Sequence, residues 1–118
     1  MASEKIGGTQ TAVIGTEHVL ATVTDAGTYE LKVDTRNMAN GDELELRVYT
    51  AVRSAESRYL LYSQGYKNIQ GDGAADAAGD GSVIKASPPI VVPFSVLFTL
   101  KQVAGTGRAF VWSVHNLA

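Results

Sequence analysis

Period-two alternation of apolar and polar residues constrains this chain more than any other feature. Residues 43–53 read Glu-Leu-Glu-Leu-Arg-Val-Tyr-Thr-Ala-Val-Arg. Successive side chains of a strand point to opposite faces. Leu44, Leu46, Val48, Thr50 and Val52 therefore share one face, and Glu43, Glu45, Arg47, Tyr49 and Arg53 the other. Residues 28–34 repeat the pattern, with Tyr29, Leu31 and Val33 set against Thr28, Glu30, Lys32 and Asp34. Between the two segments lies Asn40-Gly41, a dipeptide suited to positive φ, so the expected arrangement is an antiparallel pair. Further strand-like segments cover residues 10–14, 17–24, 58–67, 82–86, 93–103 and 108–116. In the last two, Phe94, Val96, Phe98 and Leu100, then Phe110, Trp112 and Val114, alternate with smaller or more polar residues and predict a central layer of core. The glycine-bearing stretch 104–107 between them predicts a second hairpin. No segment carries a sustained helical stripe. The expectation is an all-β fold: an antiparallel β-sandwich, jelly-roll-like, of about eight short strands.

Composition limits what such a sandwich can do. A chain of 118 residues supports one core. It has no cysteine, which excludes a disulfide scaffold, a thiolate metal site and a cysteine nucleophile. The formal charge is −2 with no concentrated basic stretch, so nucleic acid is not an expected partner. With 45% hydrophobic and 19% charged residues the chain is too apolar for disorder, yet it has no apolar run long enough for a membrane helix. Residues 1–10 are small, polar and glycine-containing, without the features of a secretion signal, and are expected to form a flexible N-terminal arm on a single domain of residues 11–118. Within that domain, residues 70–82 hold four Gly, four Ala and three Asp, with no aromatic or basic side chain, and predict an exposed acidic loop. Pro88, Pro89 and Pro93 bracket Ile90-Val91-Val92, which places that run at an edge or a crossover.

Candidate chemistry is sparse. His18 and His115 each sit in a strand-like segment without a glycine-flanked serine, and read as surface or edge histidines rather than bases. Glu43 and Glu45 share the solvent face of one strand, where charged residues are expected. Asp72, Asp76 and Asp80 recur every four residues, but the alternate-position ligands and closing Glu of a calcium loop are missing. Residues 105–108 lack the spacing and the Lys-Ser/Thr pair of a phosphate loop. No catalytic residue, cofactor or metal is expected. Tyr59, Tyr62 and Tyr66 can fill core or stack on a partner: Tyr62 and Tyr66 share a face with Leu60, and Tyr59 points with Leu61. Leu61, Leu97 and Val111 are apolar on the predicted outer sides of their strands, where a further subunit would cover them.

Three stretches taken together resemble small structural proteins of tailed bacteriophages: 4–10 (Glu-Lys-Ile-Gly-Gly-Thr-Gln), 31–47 with Asn40-Gly41-Asp42 at its centre, and 99–112 with Gly105-Thr106-Gly107-Arg108. In particular the chain resembles capsid decoration, or cement, proteins of jelly-roll type. The resemblance implies a non-enzymatic protein on the exterior of the virion head, assembled in the host cytoplasm. It would stabilise the shell by bridging major capsid protein subunits, and would act as a homo-oligomer, dimer or trimer, without binding nucleic acid or membrane. The candidate interface residues are Ile6, Gly7, Gly8, Thr9, Gln10, Tyr59, Leu61, Leu97 and Val111. The alternatives are a carbohydrate-binding β-sandwich module and a tail or neck component of the virion.

Overall fold

The computed structural model describes residues 3–53, 55–70, 83–92 and 94–117. Alternation becomes nine strands: β1 (Ser3–Thr11), β2 (Glu17–Val23), β3 (Gly27–Asp34), β4 (Glu43–Thr50), β5 (Tyr59–Lys67), β6 (Ile84–Ala86), β7 (Ile90–Val92), β8 (Val96–Ala104) and β9 (Ala109–Asn116). They form two antiparallel sheets. Sheet A has the order β1-β9-β3-β6 with β7 also on β3, and sheet B has the order β2-β8-β4-β5. Apart from the β6–β7 step, only β4 to β5 connects neighbours within one sheet, and every other connection crosses between sheets, which is the winding of a jelly roll.

Short-range pairing from turn chemistry is corrected by this winding. The two alternating segments around Asn40-Gly41 are β3 and β4, which lie in opposite sheets, and the C-terminal pair β8 and β9 is likewise split. A two-residue Asn-Gly hairpin needs the strands to abut the dipeptide. Here β3 ends at Asp34 and β4 begins at Glu43, a length that spans the gap of about 10 Å between packed sheets. Gly41 does adopt positive φ, at 96°, as a corner. The N-terminal stretch is also corrected. Residues 3–11, expected as a free arm, form β1 and pair along β9 from Ser3↔Asn116 to Thr11↔Ala109. Residues 13 and 14 lie outside the strand and are exposed. Nearly every β1 side chain is exposed, so backbone pairing holds this strand, helped by Lys5 Nζ at 2.6 Å from Asp25 Oδ2. The acidic loop predicted for 70–82 lies, beyond Gln70, outside the described residues.

The ninth strand has a proline origin. β6 pairs with residues 32–34 of β3, and β7 with residues 27–29. Between them Pro88 and Pro89 supply no backbone donors. Ser87 fills the gap: its backbone N donates to Leu31 O at 2.9 Å, and its Oγ accepts from Leu31 N at 3.0 Å. Ile90-Val91-Val92 therefore lies at an edge, as its prolines require.

One core joins the sheets. Tyr29, Leu31 and Val33 from β3, Leu44, Leu46 and Val48 from β4, Val96, Phe98 and Leu100 from β8, and Phe110, Trp112 and Val114 from β9 are all buried. Alternation overreaches at the strand ends: Val52 lies past the end of β4 and is 88% exposed, and Phe94 precedes β8. It also fails at bulges. The register steps between Val19 and Ala21, so that Leu20 and Ala21 are both buried.

At one end of the sandwich the crossings are tied to a buried carboxylate. Asp42, 2% exposed, accepts from Ala39 N and Arg108 Nε at 2.8 Å each through Oδ2, and from Thr106 N at 3.0 Å through Oδ1. Its backbone O accepts from Asn68 N at 2.8 Å. Buried Gln102 completes the knot, donating to Thr106 O at 2.7 Å and Ala104 O at 3.1 Å and accepting from Arg108 N at 3.0 Å. Burial pushes the Asp42 carboxyl up, but the Ala39, Arg108 and Thr106 donors and the Arg108 charge outweigh it and hold the group below its ordinary range. Gly105, with φ 95°, passes so close that a Cβ there would collide with Asp42 Oδ1 and stand 2.7 Å from its Cα.

Gly105→Ala is expected to destabilise the fold by about 2 kcal/mol or more, and Asp42→Asn by about 2 kcal/mol, since a buried pair loses one charge. Because the folded-state carboxyl is depressed, its contribution is complete above the ordinary value near pH 4 and is lost as pH falls through the lowered one. Urea unfolding at pH 7 and pH 3 checks this: the Asn variant shows a smaller acid loss than wild type. Equal stability at pH 7 and an unchanged acid loss would contradict the role given to Asp42.

Candidate functional site

The outward faces of the two sheets carry the candidate surfaces. On sheet A, β1, β9 and β3 run side by side, and their registers set up cross-strand rows: Glu4–His115–Glu30, Gly7–Ser113–Lys32 and Thr9–Val111–Asp34. A shallow groove of about 440 Å³ runs here between Gly7, Thr9, Lys32, Asp34, Ile84 and Val111. Gly7 permits the close approach of β1: a Cβ there would stand 3.0 Å from the Trp112 carbonyl oxygen and 3.3 Å from Ser113 Cβ. Val111 and Ile84, 56% and 46% exposed, make its apolar part. Asp34 faces it with Arg36 Nε 2.7 Å away.

On sheet B, the rows change character along the strands. Thr22–Leu97–Tyr49–Leu60 is largely apolar, Val19–Thr99–Arg47–Ser63 is mixed, and Glu17–Lys101–Glu45–Gly65 is charged. Between the first and last of these rows lies a polar cluster that the sequence does not announce. The Glu17 carboxylate accepts from Tyr49 OH and Thr99 Oγ1 at 2.6 Å each and from Arg47 Nη1 at 3.3 Å, and Arg47 Nε donates to Glu45. Partial burial pushes Glu17 up, but the Thr99 and Tyr49 hydroxyls and the Arg47 and Lys101 charges lower it below its ordinary value. Tyr49 is raised, by burial first and then by its bond to Glu17. These residues share an outward parity in the sequence, but only the register across β2, β8 and β4 brings them together.

β5 closes the apolar end of this face. The step Val48↔Tyr62, Tyr49↔Leu60 leaves Leu61 as an extra residue in β5. Alternation is thereby interrupted. Tyr62 and Tyr66 pack half-buried against the core, whereas Leu60 turns outward despite its parity. Tyr59, Leu60 and Leu61 are 72%, 53% and 55% exposed. A hollow of about 570 Å³ lies alongside, between Tyr49, Ser57, Arg58, Ser95 and Leu97.

The nine candidate interface residues do not form one surface. Gly7, Thr9 and Val111 meet in the sheet A groove. Ile6, Gly8 and Gln10 belong to the same strand but pair with the inward-facing Val114, Trp112 and Phe110. Leu61 and Leu97 lie at the apolar end of sheet B, and beyond the bulge parity alone misplaces two residues: Leu60, which joins the outward row opposite Tyr49, and Tyr59, which stands opposite Thr50. The histidines have local partners. His18 Nε2 accepts from Val13 N at 3.1 Å and fixes the β1–β2 turn, while Ser113 Oγ lies 2.7 Å from His115 Nε2 on the open face of sheet A. Among the described residues, no carboxylate hydrogen bond orients His115, and no three His, Asp or Glu side chains converge as a metal site.

Thr99, 1% exposed, contributes one hydrogen bond to a charged acceptor. Thr99→Val is expected to cost about 1–2 kcal/mol and to raise the Glu17 pKa. Denaturant titration and the carboxyl chemical shift of Glu17 against pH check both effects, and an unshifted Glu17 titration would refute the arrangement. Comparison of the chain with protein family models, with curated proteins and with solved structures finds no match in any of the three.

Proposed function

We propose that the protein is a non-enzymatic structural component of a tailed-phage virion. It binds the outer surface of the head and stabilises the capsid by bridging major capsid protein subunits. The observation that supports this reading is the placement of apolar ground on the outward faces of both sheets: Val111 and Ile84 on one, Leu97, Leu60 and Leu61 on the other, with Tyr59 exposed at the strand end beside them. A ligand-binding module concentrates its contacts in one concave site. A clip between two subunits needs separate contacts held at a fixed distance, which a close-packed sandwich supplies. Weak contacts of this kind gain strength when many copies meet a repeating lattice. The sequence resemblance to decoration proteins points the same way. The expected setting is the head exterior after assembly in the host cytoplasm.

β1 alters how this idea is tested. Because it is part of sheet A, deleting it would expose the β9 edge, so substitutions on its outward side are preferable. Thr9→Glu with Val111→Glu adds two charges to the groove without touching the core and is expected to lower occupancy on mature heads at least tenfold in co-sedimentation. Wild-type protein that stays in the supernatant, or charge variants that bind as well as wild type, would overturn the proposal. The glycan-binding alternative rests on Tyr59, the most exposed of the five tyrosines. Saturable binding on a glycan array, abolished by Tyr59→Ala, would favour it instead.

A further inference from the structure

We propose that β5 is a homodimerisation edge, at which a second copy of this chain adds its own β5 antiparallel and joins two four-stranded sheets into one. On this proposal a second copy of this chain, rather than a capsid subunit, covers the Tyr59-Leu60-Leu61 run, and the sheet A groove of each copy is left for the lattice.

Edge strands invite pairing with other chains, and folds usually blunt them with charge, bulges, prolines or brevity. Three edges here are blunted in those ways. β1 carries Glu4 and Lys5 and a register shift beside them. β2 carries Glu17 and His18, a bulge at Leu20, and contacts with β1. β6 and β7 are three residues each, separated by prolines. β5 differs. It runs nine residues, has no proline, and has no charged residue before Lys67. Among the described residues it pairs with β4 alone. Its bulge does not hide the strand but turns two leucines out beside Tyr59.

The sequence of β5 is self-complementary in one register. A two-fold axis normal to the sheet pairs residues of equal parity, so between Leu61 and Gly65, on the regular side of the bulge, each side chain stays on its own face. With the axis at Ser63, Leu61 lies opposite Gly65 of the second copy and fills the space that the missing side chain leaves. Tyr62 meets Gln64 on the inward face, and Leu60, which the bulge turns outward, lies beside the Leu61 contact. Lys67, the one cation of the strand and well exposed, falls at the far end of the pair from the Lys67 of the second copy. A parallel arrangement would set Lys67 against Lys67 and Leu61 against Leu61. Antiparallel pairing keeps the like charges at opposite ends of the interface and covers the exposed Tyr59-Leu60-Leu61 run.

The absence of native cysteine makes the test direct. Residues directly opposite in an antiparallel pair have Cα atoms about 4.5–5.5 Å apart, within disulfide range. Under mild oxidation at low micromolar concentration, Ser63→Cys is expected to crosslink to a dimer at least tenfold faster than Thr9→Cys, which places an exposed thiol on β1. Light scattering on wild type should give a dimer mass. Leu60→Lys with Leu61→Lys, both on exposed positions, should weaken the dimer at least tenfold while retaining the thermal transition. Should that variant unfold, Gly65→Lys provides the same charge opposite Leu61. A monomeric wild type overturns the proposal, as does a dimer that survives the lysines or a Ser63→Cys chain that crosslinks no faster than Thr9→Cys. These readouts need no phage heads, so their failure is separate from failure of the capsid reading.

Discussion

A buried carboxylate organises the crossings of this fold. Asp42 lies where β3 gives way to β4, and its two oxygens take hydrogen bonds from its own connection and from the β8–β9 turn. An ionised group so deeply placed is tolerable only if its acceptor capacity is filled. Meeting that requirement brings distant segments to one point, Arg108 and Thr106 from the C-terminal crossing and Ala39 from the central one, and the chain leaving β5 joins them through Asn68 N on the Asp42 backbone oxygen. Gln102 repeats the logic with neutral groups. A jelly roll must hold its crossovers together, and here a filled polar knot ties them at one end while the apolar core packs the layers between.

What the sequence disclosed follows from the range of the forces involved. Strand positions and inward faces depend on neighbouring residues, and alternation in 43–50 and 96–102 reads them correctly. Sheet membership depends on where a strand finds a partner, and the same alternation serves either sheet. Asn40-Gly41 illustrates the limit: its positive φ is local and holds, whereas the hairpin inferred from it needs strands that abut the turn. The 3–11 stretch shows the opposite error. Glycines and small polar residues hide a strand because its stability comes from backbone pairing with β9, at the far end of the sequence.

The candidate surfaces divide along the same line. Leu61, Leu97 and Val111 were legible because an apolar residue at an outward parity is conspicuous. Leu60 was not, since a bulge at Leu61 changes its face. The Glu17–Tyr49–Thr99 cluster was invisible for a different reason: its members come from three strands, and each is unremarkable until the registers align them. Such a cluster stiffens the middle of the sheet B face, while the apolar residues remain at its end.

The winding also has a temporal consequence. β9 lies between β1 and β3, and β8 between β2 and β4, so each sheet has at its centre a strand from the last part of the sequence. During synthesis β1 and β2 must wait without their partners, and only the β4–β5 hairpin and the small contacts of β3 with β6 and β7 are available sooner. Closure of long loops comes before the contacts that reward it, which makes folding slow relative to helical proteins of this size. Emergence of residues 96–116 from the ribosome then completes both layers together. Until then the apolar faces of β2, β3 and β4 lack their central partners, and that interval is when the chain is most open to association with other chains.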